Sequence, residues 1–529
     1  MIHLGIDFGT ANTRVSKLGD SMVPTVLNIG RTQNSPEMMP SACWIDSDGK
    51  VAVGERSLGR PDRILFIKRY WQQRAEDQAS QPWKDGQRTI SGRAYKCSEI
   101  VEAVLAEAVA RGLDCLTPQE RKAGFTANIV CPVGFDREKR FALVNILSGQ
   151  GAQTVTLGNV IDEPLAAAVL YCRVEEVPPV RRDLLVFDAG AGTVDVAIVR
   201  YEESDGVKRA TVLAEAGRCT AGSDFDRVMQ KLLLNKISGN TQPLNPEQLF
   251  RAYSTDIDVG RIAFEDECEQ MKIALGRNQT ATLTPRRRIP GIASESVQIT
   301  REEYCIAAKE VLFGITDVVK SALKMARTVI EDFNGIEMVI MAGGTSRLSF
   351  VRESVASVVP GAEFLTHDYL DEMLATVRGA GLSKDFADLI VLRPSYETKL
   401  RVTLMNGYTE TLLLNEAYEA FPVRQFFGGA VPKIIKKQHF SSPIDTVVAH
   451  FVNPGGANIQ VSPDVLDPAL FRGCNHIEAR LDIHALLSLT SQGISKCVAA
   501  PYFTQVGLNP RKPYDIKKMS APDYYPDDN

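Results

Sequence analysis

Two short stretches of this chain, far apart in sequence, carry the same pattern. Residues 4–15 read LGIDFGTANTRV and residues 185–196 read LVFDAGAGTVDV. Aligned, Asp7 matches Asp188, Gly9 matches Gly190 and Val15 matches Val196. In each, an apolar run ends in Asp, a turn of small residues follows and an alternating run returns, which predicts two strand-turn-strand units. Small residues let backbone N–H groups approach phosphate oxygens closely. Carboxylates at the strand ends would repel phosphate directly, so they make sense beside a hydrated Mg²⁺ that neutralises both. One Asp-x-Gly turn alone is ordinary turn chemistry. The repetition is what points to a site, a triphosphate held between two lobes of a duplicated architecture.

The rest of the chain fits around these units. Residues 100–112 have helical periodicity, closed by Gly112. Asn128 to Cys131 reads as a buried strand stopped by Pro132, and Pro164 opens an Ala-rich helix. Residues 224–276 read as helices with breaks near 240–246, and Met338 to Ala342 as a strand running into Gly343-Gly344 and a helix to about Val359. Such alternation predicts α/β layering with a mixed sheet. The Gly343-Gly344 turn and the segment AGRCTAGSDFD (216–226) each place glycine where a helix begins, where amides can meet an anion or a ligand edge.

After about Asp388 the character changes. KLRVTLM and YTETLLL flank Asn406-Gly407, the strongest short-range hairpin signal. Further short β-like runs at 446–452, 457–461 and 477–483 predict a small β-rich domain over 389–508, followed by a loose tail over 509–529.

Lys+Arg 60 against Asp+Glu 65 leaves a net charge of -5, so no basic field recruits nucleic acid or anionic lipid. Arg286-Arg287-Arg288, without interleaved aromatics, reads as a solvated loop. The 10 cysteines show no CxxC spacing and mostly apolar neighbours, which predicts buried thiols in a reducing compartment. The N-terminus lacks a signal-peptide pattern, and no apolar run reaches the roughly 20 residues that span a bilayer. The expectation is a soluble cytoplasmic protein with no membrane partner.

Taken in order, IDFGTANTRV, IDEPLAAAVLY (161–171), FDAGAGTVDVAIV (187–199), AGSDFD (221–226) and MAGGTSR (341–347) resemble the actin/sugar-kinase/heat-shock ATPase superfamily. Phe66-Ile67-Lys68-Arg69, Pro40-Ser41, NIVCPVGFDREKR (128–140) and CEQMKIAL (268–275) narrow the resemblance to the heat-shock protein 70, or DnaK-type, chaperones. It covers about residues 1–388 and is weak beyond. It implies a two-lobed actin-like (ribonuclease H-like, duplicated) ATPase domain that binds ATP or ADP with Mg²⁺ and slowly hydrolyses ATP to ADP and phosphate, through positioned charge rather than a covalent nucleophile.

By the same resemblance, Asp7 and Asp188 would hold hydrated Mg²⁺. Gly9, Thr10, Ala11 and Asn12, with Gly190, Ala191, Gly192 and Thr193, would line the phosphates. Lys68 would orient the attacking water, and Glu163 and Asp195 would complete the polar shell around metal and water. Gly222, Gly343, Gly344 and Arg347 would frame the sugar and adenine, with Glu269 and Lys272 on the ribose side. The chain departs from the family pattern at Ala11, Ala191, Ala221 and Ile273, the last replacing an arginine that commonly stacks on adenine. Hydrolysis is therefore expected to persist with weaker nucleotide affinity.

In that family an apolar linker joins the ATPase to a β-sandwich for extended peptides. Asp388-Leu389-Ile390-Val391-Leu392 resembles the linker, and a buried edge strand is an equal reading of the same residues. No helical lid follows in this sequence, so a short binding module for one partner is as plausible as ordinary client trapping. The resemblance implies a protein or peptide client, with a co-chaperone or exchange factor as further partner. Two rival functions remain: an actin-like polymerising ATPase, and a nucleotide-gated scaffold without hydrolysis.

Overall fold

A computed structural model describes residues 2–18, 23–33, 35–60, 62–72, 87–90, 92–133, 135, 139, 142–143, 146–147, 155–174, 181–204, 207–238, 246–284, 296–329, 333–365, 371–382, 389–394, 397–415, 420–422, 433–452, 458–460, 466–482 and 486–499. Arg286-Arg287-Arg288, Asp388 and the tail over 509–529 lie outside the described residues. Helices and strands are mixed, in several sheets.

Both repeated segments are antiparallel hairpins. The first pairs Ile2–Phe8 with Asn12–Leu18, and the second pairs Arg181–Ala189 with Val194–Ser204. Each hairpin seeds a large sheet. In the 6-stranded sheet the order is Val155–Asp162, Phe125–Cys131, Ile2–Phe8, Asn12–Leu18, Thr25–Val26, with Met39–Pro40 also paired to Asn12–Leu18. In the 7-stranded sheet it is Glu363–Phe364, Met338–Ala342, Arg181–Ala189, Val194–Ser204, Val207–Arg218, Leu389–Pro394, Ala420–Pro422. The two sheets thus share a pattern. The first strand of each hairpin is flanked by a parallel strand from later in the chain, and that strand by another. Phe125–Cys131 is buried at every position, as a parallel strand covered on both faces must be.

Two helices rich in small residues lie together against these sheets, Glu163–Val174 and Ala375–Gly381. The Ser16 hydroxyl donates to the Val377 carbonyl at 2.6 Å, and the Asn128 amide donates to the Ala380 carbonyl at 2.9 Å. A helix late in the chain therefore completes the first sheet. The helices Gly222–Ser238, Ile257–Leu275 and Lys309–Val329 build a separate core on the second sheet with Leu185, Phe187 and Val196.

One expected boundary moves. The helix read as closing at Gly112 runs Cys97–Asp114. Gly112 lies inside it because a side chain there would press on Val15, with Cβ 3.1 Å from Val15 Cγ1.

Beyond residue 396 the Asn406-Gly407 hairpin forms as read, joining Glu397–Leu404 to Thr409–Asn415 with Gly407 at φ +82°. That pair belongs to one of two 4-stranded sheets. Leu400, Val402, Val447 and Phe451 from the first share a single core with Ile477, Ala479, Leu487 and Leu489 from the second. Leu389–Pro394 pairs in parallel with Val207–Arg218, Lys208 opposite Leu389, and antiparallel with Ala420–Pro422 on its other side, so the apolar run is a sheet strand, as one of the two readings had it, but lies one strand in from the edge.

The described cysteines are all free thiols, mostly buried, and burial pushes the Cys43 and Cys97 thiols up to about 12. Among the described residues no helix is long and apolar enough to cross a membrane.

Candidate functional site

The two hairpin turns touch. A Cβ at Gly192 would stand 2.5 Å from the Thr10 hydroxyl oxygen and 2.7 Å from its methyl carbon, so only glycine lets the second turn meet the first. A cleft of about 950 Å³ is lined by both turns, by Asp7, Lys68, Glu163 and Asp188, and by residues of the helix Ile257–Leu275. Gly9, Thr10, Ala11, Asn12, Gly190, Ala191 and Thr193 all border it, as do Gly222, Glu269, Lys272, Gly343, Gly344 and Arg347. Gly192 and Asp195 are buried behind that wall rather than on it.

The strand ends carry the charge. Lys68 sits on the short helix Ile67–Gln72, entered through Phe66 in the left-handed region at φ +56°, a conformation costly for a bulky residue. Its Nζ donates to the Glu163 carboxylate, both groups buried. Burial works against the Lys68 charge, but Glu163 and Asp7 outweigh it and raise its pKa. Glu163 opens its helix at the end of Val155–Asp162, with its carboxyl raised by burial against the pull of Lys68.

Asp7 and Asp188 are both buried carboxyls raised by desolvation. For Asp188 the value reaches about 8, with Glu163 adding to burial and the Thr376 hydroxyl, donating at 2.8 Å, opposing it. Asp195 stands directly opposite Asp188 across the hairpin. Its Oδ1 accepts the Val133 N–H at 3.0 Å, and its Oδ2 is buried with no hydrogen-bond partner among the described residues. Burial, then Glu163, push it well above the usual carboxylate range.

Four buried acids face few cations, an arrangement that a hydrated divalent ion would relieve. Among the described residues no group of three or more His, Cys, Asp or Glu forms a direct metal cage. Asp7 and Asp188 are the carboxylates of this set that would hold such an ion.

The far end of the cleft is tied to the second hairpin. Gly343, at φ +80°, packs on the Ala189 carbonyl, and a Cβ there would lie 2.6 Å from Asp188 Oδ1. The Thr345 hydroxyl donates to the Gly190 carbonyl at 2.7 Å. The amides of Gly222 and Ser223 donate to the carbonyls of Gly190 and Ala191 at 3.2 and 2.8 Å. The start of the helix Gly222–Ser238 is thus bonded to the turn. Lys272 is buried and held by Asp226 at 2.7 Å, while Glu269 and Arg347 are exposed at the rim. Ile273 borders the cleft at 36% exposure.

Several participants were not singled out from sequence. Thr376 reaches Asp188 from the helix Ala375–Gly381, and Asp226 clamps Lys272. Arg69, beside Lys68, donates to Ser223 at 2.7 Å and to both oxygens of Asp224. For Arg69 and Asp226 the signal was adjacency to recognised motifs. For Thr376 there was none, since its segment carries no chemical pattern.

A family model described as Hsp70 protein matches residues 73–392. "Chaperone protein DnaK" of Mycoplasmopsis agalactiae is 25% identical over 408 residues, 74% of this chain and 60% of that protein. "Chaperone protein DnaK" of Ureaplasma urealyticum is 26% identical over 436 residues, 78% of this chain and 64% of that protein. The corresponding Ureaplasma parvum protein is 25% identical over 436 residues. The chain spans 60 to 64% of the length of these relatives.

Proposed function

This chain belongs to the Hsp70 family, and from that premise we propose that it is an ATP-hydrolysing, chaperone-like switch. In this reading residues 1–388 form a duplicated, two-lobed actin-like ATPase domain, which the shared strand pattern of the two large sheets supports. The two 4-stranded sheets built from strands between Glu397 and Ala499 form the β-rich domain that engages a protein or peptide, while Leu389–Pro394 and Ala420–Pro422 belong to the 7-stranded sheet, so the expected boundary at 388 does not separate the sheets cleanly. The observation that carries the reading is the contact of the Thr10 and Gly192 turns, with Asp7 and Asp188 lining one cleft beside the Lys68–Glu163 pair.

Bound Mg²⁺ supplies charge neutralisation of the phosphates. The chain's own residues do the rest. The small turns would present backbone amides to phosphate oxygens, Asp7 and Asp188 would hold the cation, and Lys68 would orient the attacking water and stabilise charge at the transferring group. Glu163 holds Lys68 in place. Asp195, hydrogen-bonded to the Val133 amide, completes the polar shell from behind. Lys272, fixed by Asp226, and Gly222, Gly343, Gly344, Glu269 and Arg347 flank the nucleoside end.

The strand Leu389–Pro394, added to the 7-stranded sheet, gives nucleotide state a covalent path to the β-rich domain. Client, co-chaperone and exchange-factor binding are carried over from the family and belong to the same proposal. The test is Mg·ATP turnover by the whole chain and by its Lys68→Ala variant, with a peptide panel scored for ATP-dependent release. Turnover lost in the variant, with peptide released on ATP addition, supports the switch. Equal, near-zero turnover in both selects the nucleotide-gated scaffold instead.

A further inference from the structure

The two hairpins match in sequence and strand pattern but not in charge. Opposite Asp188 stands Asp195, whereas opposite Asp7 stands Arg14. Directly opposed side chains share a face of the sheet. One turn is therefore backed by two carboxyls and the other by a carboxyl and a guanidinium.

Arg14 is 7% exposed and borders the cleft beside the Gly9–Asn12 turn. Its donors are poorly used. Nη1 lies 3.8 Å from Asp7 Oδ2, beyond hydrogen-bond length, and Nη2 donates to the Met38 sulfur at 2.7 Å, a weak acceptor. Nε is buried with no partner among the described residues. A buried guanidinium is costly unless its planar array of five donors is matched by oxygen acceptors. Here acids surround it, Asp7, Glu37, Asp371 and Asp188 all acting on its charge, yet none forms the paired bonds an arginine favours.

We propose that Arg14 is a phosphate-binding residue: it is the counter-ion of Asp7 in the nucleotide-free protein, and its spare donors take a phosphate oxygen when nucleotide enters. It supplies from the adjacent strand a donor that Ala11, lacking a hydroxyl, does not. It also supplies part of the positive charge otherwise left to the metal, so this chain retains nucleotide when Mg²⁺ is removed. The inference rests on the nucleotide-binding reading of the cleft.

The test is calorimetric titration of the whole chain with ADP and with adenosine, in Mg²⁺ and in EDTA, for the native protein, Arg14→Met and Arg14→Lys. A charge-assisted hydrogen bond to phosphate corresponds to about a 10- to 100-fold loss of ADP affinity in EDTA for Arg14→Met. A smaller loss is expected in Mg²⁺, partial recovery in Arg14→Lys, and unchanged adenosine affinity throughout. ADP affinity in EDTA equal to that of the native protein overturns the proposal. So does an equal loss for adenosine, which would mark Arg14 as a purely structural residue. Should Arg14→Met fail to fold, Asp7→Asn and Asp7→Asn/Arg14→Met, which leave no carboxylate unpaired at this pair, are compared in EDTA, with the same loss expected and equality overturning it. Native protein that binds no ADP even with Mg²⁺ refutes the nucleotide reading itself, an outcome distinct from tight Mg·ADP binding that is indifferent to Arg14.

Discussion

Lys68 and Glu163, 95 residues apart, are each other's charge partner inside the cleft, both almost wholly removed from water. Removing one leaves the other a buried charge without its mate. Lys68→Ala is expected to lower ATP turnover about a hundredfold or more, as loss of a transition-state charge does. It is also expected to cost about 3–5 kcal/mol of stability, reduced to the extent that Glu163 takes up a proton. Steady-state turnover and thermal melting on the same sample check both.

The acids set a pH dependence with a definite sign. Asp188, raised to about 8 by burial and Glu163, keeps its proton in the folded chain over a range where the unfolded chain has lost it. The folded state then binds more protons, so this group's contribution to stability falls as pH rises from about 4 to 8. Melting temperature in EDTA should decline over that window, and Asp188→Asn should flatten the decline. Because Asp188, Asp195 and Glu163 interact, the midpoint belongs to the group rather than to one residue. Mg·nucleotide binding, which needs the ionised acids, should strengthen over the same window, as calorimetry would reveal.

The contact between the turns is testable by one methyl group. Gly192→Ala would drive Cβ into Thr10 and force the hairpins apart. The expected cost is about 1–3 kcal/mol, typical of overpacking, together with weaker nucleotide binding. Gly192→Ala/Thr10→Gly should restore the melting temperature. Failure to do so would place the strain elsewhere.

Ile273 borders the cleft where a cation could lie on an adenine ring. Ile273→Arg is expected to tighten ATP binding by about 1 kcal/mol, roughly fivefold, the worth of a cation–π contact at a partly exposed site. Inorganic triphosphate, with no base to stack on, should bind both proteins alike.

The legible parts of this protein were those whose signal is local. The hairpins around Asp7 and Asp188 and the Asn406-Gly407 turn announce themselves in about a dozen residues each. Gly112 misled because a glycine that ends a helix and one that admits Val15 look identical in sequence. Leu389 to Leu392 stayed ambiguous because their pairing partners, Lys208 to Thr211, are remote in sequence. The long helix Lys309–Val329 carries a local signal as well, its apolar residues recurring at helical spacing. Within the site, Asp7 and Lys68 were readable from motif order. Arg14 was readable from the hairpin alignment itself, which sets it against Asp195, but an alignment pursued for likeness passes over the column where the halves differ.

The helix Ala375–Gly381 closes the first sheet through Ser16 and Asn128. Ribosomal synthesis delivers those two residues hundreds of codons ahead of their cover. A nascent chain that has emerged only as far as the second hairpin still lacks the Val377 and Ala380 carbonyls that those two side chains bond in the finished protein.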